Sequence, residues 1–274
     1  MSITDKKYNS LLSILKDMGR VVVAFSGGTD STFLLAAAKQ ALHDEVTAVT
    51  VKSVLHPDFE VDEAEWIAAQ LEVRHRIVDA GNLIQGKELV SNPVNRCYIC
   101  KTDIFKTLQA TAEKESLGTV IDGSNTDDEG DFRPGMKALQ ELGIRSPLKE
   151  AGLSKQEIRK LSKALNLTTW DKPAQTCLAT RIPYGSRITL EKLKRIEKAE
   201  KALRQLGFSQ IRVRDHGDIA RIEVPAGERI KLIEDATLSD MIVMKFKVLG
   251  YHYVTMDIEG YRTGSMNEVL KNNE

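Results

Sequence analysis

The run Val21-Val22-Val23-Ala24-Phe25, followed at once by Ser26-Gly27-Gly28-Thr29-Asp30-Ser31, constrains this chain more than any other segment. A short apolar run bounded by glycines reads as a strand buried on both faces, and Thr29-Asp30-Ser31 opens a helical pattern carried by Phe33, Leu34, Leu35, Ala36 and Ala37. A strand, a sharp glycine turn and a helix start together build an anion cradle. Backbone N–H groups of the turn point inward, Gly27 and Gly28 put no Cβ in the way of a phosphate, and the helix N-terminus adds partial positive charge. No Lys stands in the turn, and the G-x-x-x-x-G-K-S/T pattern of the other common phosphate loop is absent from the chain. Ser26, Gly27, Gly28 and Ser31 are the expected phosphate contacts, with Ala24 and Phe25 leading into them.

From Val21 to about Trp170, short apolar runs alternate with helical periodicity, the pattern of a parallel sheet with helices on both faces. Strands are expected at 21–25, 46–51, 73–78 and 119–122, so that Lys52-Ser53, Asp79 and Asp122-Gly123-Ser124-Asn125 share the carboxyl end of the sheet with the glycine turn. Ser53 and Gly123 are the expected nucleoside contacts. Helices are expected at 60–71, with Trp66, Ile67 and Leu71 inward, at 101–116, and at 154–165, where Ser154 and Glu157 form a capping box. Periodicity fails around 173–185, which puts the division between a domain of residues 1–182 and a small α+β domain of residues 183–274. There the spacing predicts a charged helix over 190–206 ended by Gly207 and a hairpin of 211–215 with 219–224. A helix capped by Ser239 and a strand over 251–258 complete an antiparallel unit.

Lys plus Arg equals Asp plus Glu, 39 against 39, so no overall basic field draws in nucleic acid. No apolar run suggests a membrane span and Met1 to Lys7 lacks a signal-peptide layout, so a cytoplasmic protein is expected. The three cysteines, Cys97, Cys100 and Cys177, are an odd number for a disulfide framework. The C-x-x-C pair admits a zinc clamp, a redox dithiol, an iron–sulfur cluster held by three thiolates, or buried thiols. The five histidines show no spacing relation to the cysteines, which weakens zinc, and the pair does not follow the first strand, which weakens redox exchange. A cluster with one open iron suits sulfur transfer.

The S-G-G-x-D-S signature resembles that of the PP-loop ATP pyrophosphatases, which cleave ATP between its α and β phosphates; the resemblance implies that Asp30 helps hold Mg²⁺. Nearly the whole chain is similar to the LarE family of ATP-dependent sulfur transferases. The residues that carry the likeness are Ala24 to Ser31, Asp131-Phe132-Arg133-Pro134-Gly135, Arg181 with Pro183-Tyr184-Gly185, and Ala199-Glu200-Lys201. To these are added Arg212-Val213-Arg214 and Ile219-Ala220-Arg221-Ile222-Glu223. The resemblance implies adenylation of pyridinium-3,5-biscarboxylic acid mononucleotide and displacement of AMP by sulfur, giving thiocarboxylates for nickel-pincer nucleotide cofactor synthesis. It implies Cys177, Asp30 and Glu200 as catalytic residues, and Arg181, Arg212 and Arg214 as substrate contacts. With Cys97 and Cys100 added to Cys177, the chain resembles the branch that holds a 4Fe-4S cluster through three cysteines rather than the sacrificial one. Sulfide or a donor protein would supply sulfur, and a homo-oligomer is expected. Glu129, in the run Asp127-Asp128-Glu129-Gly130-Asp131, is read either as part of a metal site or as a solvated loop. The rivals are a tRNA thiolase of the PP-loop class, which the neutral charge opposes, and an ATP-binding iron–sulfur sensor.

Overall fold

The computed structural model describes residues 3–80, 86–130, 134–173 and 175–271, in two compact units. The first comprises Met1–Leu83 and Asn95–Gln175, the second Ile84–Val94 and Thr176–Glu274. In chain order the elements begin with α1 (Ile3–Met18), β1 (Val21–Ala24), α2 (Thr29–Leu42), β2 (Val46–Lys52), α3 (Asp58–Gln70) and β3 (Arg74–Asp79). After α4 (Lys87–Val90), which belongs to the second unit, come α5 (Arg96–Lys114), β4 (Thr119–Ile121), α6 (Pro134–Glu141), α7 (Pro147–Glu150) and α8 (Lys155–Ala164).

The first unit is a parallel sheet of order β3-β2-β1-β4, with Val21 opposite Val46 on one side and Thr119 on the other. Side chains alternate across its central strand. Val21, Val23 and Phe25 pack with Leu11 and Leu15 of α1, Phe33 to Leu35 of α2 and Ile67 of α3. Val22 and Val49 pack on the opposite face with Phe105, Leu108 and Leu139. Both faces being covered explains why these strands read as unbroken apolar runs.

Trp66, expected inward, is 50% exposed, because α3 turns Val61, Ala64, Ile67 and Ala68 to the sheet and Trp66 falls off that stripe. Helix α5 starts at Arg96, not at 101, which places Cys97 and Cys100 within its first two turns. The capping box at Ser154 is formed, with Ser154 Oγ accepting from Glu157 N–H and the Glu157 carboxylate accepting from Ser154 N–H at 2.9 Å. Leu165 lies just past α8 and is exposed.

The second unit adds α9 (Leu190–Gln205), β5 (Arg212–His216), β6 (Ile219–Glu223), α10 (Ala226–Glu234), α11 (Ala236–Val248), β7 (Tyr253–Met256) and α12 (Glu268–Lys271). β5 and β6 form the expected hairpin, but β7 pairs with β6 in parallel, so the sheet is mixed rather than antiparallel. The helices α10 and α11, lying between β6 and β7, make the crossover that a parallel pair requires. The N-cap of α11 is Asp235, whose carboxylate accepts from Leu238 N–H at 2.9 Å; Ser239, expected in that role, instead donates to Leu232 O. Ile196, Ala199 and Leu203 of α9 are fully buried.

Residues 84–94 group with the second unit, and the unit begins at Thr176 rather than at 183. Both differences have a local cause. Asn92 donates to Ile182 O (3.2 Å) and Pro183 O (2.7 Å), while Gly185 and Ile188 N–H groups donate back to Asn92 O and Val90 O. The 3-10 turn Leu178–Arg181 buries Leu178 and Ala179 in the same unit. Among the described residues no helix is long and apolar enough to cross a membrane.

Candidate functional site

The glycine turn connects β1 to α2 at the carboxyl end of the sheet. Gly27 takes φ +67°, and a Cβ there would lie 3.3 Å from Ala64 Cα, so only glycine lets the turn pass this close to α3. Gly28 is the N-cap of α2 and no side chain caps the helix. The first-turn N–H groups, which no helical carbonyl can satisfy, are thereby left for a ligand. Ser26 and Ser31 hydroxyls stand 3.2 Å apart across the turn. Gly123 lies against the same helix start, where a Cβ would come within 3.1 Å of Ser31 N. Ser53 is buried and its Oγ accepts from Leu55 N–H, a turn-forming role at the end of β2. Phe25 donates its N–H to Val49 O and its carbonyl accepts from Thr50 Oγ1 at 2.8 Å. Ala24, the last residue of β1, is partly buried against the Val22 and Val49 face of the sheet.

Asp30 sits in the first turn of α2. Its Oδ2 accepts from Lys155 Nζ at 2.5 Å, while its Oδ1 is buried and accepts no hydrogen bond among the described residues. Burial pushes this carboxyl up against the pull of Lys155. An orphaned buried carboxylate oxygen beside an anion cradle fits a divalent cation, whose ligands are oxygens. From the segment after α8, Thr169 O accepts from Thr29 Oγ1 at 2.8 Å and Lys172 Nζ donates to Gly27 O at 2.9 Å. Lys172 also pairs with Glu63 at 2.7 Å. Lys155, Lys172 and Glu63 have no local sequence signal for such a role. In the acidic run, Asp127 accepts from Lys155 N–H and Asp128 from Asn125 N–H, so both carboxylates shape the turn; the side chain of Glu129 lies outside the described residues. Asp122 is engaged by the hydroxyls of Ser124 and Ser146.

Cys97 and Cys100 stand three residues apart near the start of α5, which puts them on one face of a helix. Both are half-buried and belong to the first unit, and Cys177, also half-buried, belongs to the second. Cysteine sulfurs are the donor chemistry of an iron–sulfur cluster. Among the described residues, no three His, Cys, Asp or Glu side chains form a group able to hold a metal ion. Asp131-Phe132-Arg133 lie outside the described residues, while Pro134 and Gly135 open α6.

Cys177 precedes the 3-10 turn Leu178–Arg181, and the Arg181 guanidinium holds that loop. Its Nη1 donates to Thr176 O (2.7 Å), Cys177 O (3.0 Å) and Thr180 Oγ1 (2.9 Å), and its Nε and Nη2 form a fork with the Glu200 carboxylate. Glu200, expected as a catalytic residue on a charged helix, is fully buried. It accepts further hydrogen bonds from Val213 N–H and Arg204. Burial would raise its carboxyl, but Arg181 holds it below the usual carboxylate range. The Glu200 carboxylate oxygens are thus taken up by Arg181, Arg204 and the Val213 N–H group within the second unit.

Arg212 and Arg214, expected as substrate contacts on one face of a strand, are both buried. The Arg214 fork is taken up by Glu223 (2.6–2.9 Å), with Thr180 O and Ser265 Oγ as further acceptors. Arg212 donates to Ile211 O and stacks near the Tyr261 ring, and burial together with the Arg181 charge lowers its pKa.

Residues 20–103 match the family described as queuosine biosynthesis protein QueC. The chain is 41% identical to an uncharacterised protein of Synechocystis, over 97% of this chain and 98% of that protein. It is 38% identical to the pyridinium-3,5-bisthiocarboxylic acid mononucleotide synthase of Lactiplantibacillus plantarum, over 98% of this chain and 97% of that protein. An uncharacterised protein of Methanocaldococcus jannaschii is 31% identical over 89% of this chain and 91% of its own length.

Proposed function

Because this chain belongs to the LarE family of pyridinium-3,5-bisthiocarboxylic acid mononucleotide synthases, ATP-using enzymes of the PP-loop class, we propose that it converts ring carboxylates of a pyridinium mononucleotide into thiocarboxylates. The observation that carries the reading is the side-chain-free cradle at Gly27 and Gly28 with the orphaned Asp30 Oδ1 beside it. First-turn N–H groups of α2, with Ser26 and Ser31, hold the leaving pyrophosphate, and Asp30 holds Mg²⁺. A substrate carboxylate oxygen attacks the α-phosphorus, the bond from that phosphorus to the β-bridging oxygen breaks, and pyrophosphate departs. A sulfur nucleophile then attacks the acyl carbon and AMP leaves with the electron pair of its oxygen, giving the thiocarboxylate.

We assign Cys97, Cys100 and Cys177 to a 4Fe-4S cluster; when bound, such a cluster supplies an exchangeable sulfide at its open iron, drawn from sulfide or a donor protein. Arg212 serves the substrate phosphate, and Arg181, Glu200 and Arg214 act by fixing the Cys177 loop and strand β5. A homo-oligomer would bury the exposed apolar side chains Ile230 and Ile233 of α10 and Met244 and Val248 of α11.

Anaerobically prepared protein given ATP, Mg²⁺ and the biscarboxylated mononucleotide should release pyrophosphate and AMP and yield a thiocarboxylate. Release without that substrate, or thiolation of tRNA in its place, would refute the assignment. Iron and sulfide content should fall in each of Cys97→Ala, Cys100→Ala and Cys177→Ala; iron retained by all three would remove the cluster.

A further inference from the structure

A phosphate loop without its own lysine has to find its positive charge elsewhere, since backbone N–H groups orient a triphosphate but carry only partial charge. In the first unit two lysines arrive at this loop from sequence positions 125 and 145 residues away. Lys155 Nζ sits 2.5 Å from Asp30 Oδ2, and Lys172 Nζ sits 2.9 Å from Gly27 O. Both are held in place from behind. Lys155 is the first residue of α8, fixed by the Ser154 capping box, and its N–H donates to Asp127. The backbone around Lys172 is gripped by Arg159, which donates to Trp170 O and Lys172 O. Lys172 is largely buried, with side-chain exposure of 12%, and Glu63 accompanies it. Glu63 compensates the charge of Lys172, so the ammonium can stay ionised while it is held against the loop carbonyl.

We propose that Lys155 and Lys172 are the phosphate-binding cations of this loop, taking the place of the in-line lysine of other phosphate loops. Each ammonium has three N–H donors, so a phosphate oxygen can be bound while a protein contact is kept. The inference rests on ATP use alone. It needs neither the pyridinium substrate nor sulfur, and its failure is therefore separable from failure of the reaction proposed above.

The test is the affinity of the full-length protein for ATP, inorganic pyrophosphate and AMP, measured calorimetrically at fixed Mg²⁺ for wild type, Lys155→Met and Lys172→Met. Cations that serve the β and γ phosphates should give roughly tenfold or greater weakening for ATP and pyrophosphate, with AMP changed by less than about twofold. Lys155→Arg and Lys172→Arg should restore most of the loss, and they keep the test open should a methionine variant fail to fold. Equal weakening for ATP and AMP would make both residues structural clamps, and unchanged ATP affinity would remove the role; either result overturns the proposal.

Discussion

In the nucleotide loop of the first unit, helix N–H groups carry no side-chain cap and the Asp30 Oδ1 oxygen has no partner among the described residues, whereas around Cys177 in the second unit charged groups are tied to one another. Glu200 accepts from Arg181, Arg204 and Val213, and Glu223 accepts from Arg214 and Arg221. The contrast separates groups that await a ligand from groups that hold a frame. Unsatisfied polar atoms in a folded protein call for an explanation, while satisfied buried ion pairs bring geometric definition more than net stability.

The largest effect expected from breaking this contrast is on the saturated side. Glu200→Ala would leave Arg181 buried without its carboxylate, and removal of one partner of a buried pair costs about 3–5 kcal/mol. Urea denaturation followed by circular dichroism should show a loss of that size. A loss under about 1 kcal/mol would mean that the Cys177 loop is not held by this pair.

On the ligand-facing side, Gly27→Ala places a Cβ at φ +67° and 3.3 Å from Ala64 Cα. The left-handed conformation alone costs roughly 1–2 kcal/mol, and the displaced turn should lose ATP binding as well. Gly185→Ala is the matched control, with φ +76° and nothing within 4 Å of the added carbon. It should show the backbone cost without the loss of nucleotide. Equal ATP affinity in the two variants would refute the close-approach argument.

The contrast was only half legible in the sequence. The cradle could be read because it is local: glycine turn, strand and helix start are consecutive, and β1 and β2, covered on both faces, leave continuous apolar runs. The lysines could not, because nothing near Lys155 or Lys172 announces a partner more than a hundred residues away. The parallel pairing of β7 was equally hidden, since alternation gives a strand its faces but not its direction. Glu200 did leave a signal. It lies seven residues after Leu193 and four after Ile196, on the apolar stripe of α9, and a carboxylate at that spacing is a buried one in want of a cation.

A smaller change probes how the lysine at Asp30 is placed. Ser154→Ala removes one half of the capping box at the start of α8, worth about 1 kcal/mol in melting experiments. Because Lys155 follows directly, ATP affinity should fall together with stability. A variant that loses stability and keeps ATP affinity would detach the cap from the loop.

The smallest effect is a pH dependence behind the cradle. Burial lowers the His75 pKa, and the Thr50 hydroxyl donates to Phe25 O, so its oxygen accepts from His75 Nε2–H at 2.8 Å in the neutral ring. The folded state therefore binds the proton less readily than the unfolded chain, whose histidines titrate near about 6.5. The stability this linkage contributes is present above that value and is lost as pH falls through it toward the lower folded-state pKa. His56, on the loop after β2, shifts in the same direction because it too is buried. Lowering pH from about 7.5 to about 5.5 should reduce the urea midpoint of wild type, and less so in His75→Gln, whose amide can donate to Thr50 without titrating. Equal slopes in the two proteins would show that His75 plays no part in holding Thr50 and the Phe25 carbonyl at the entry to the cradle.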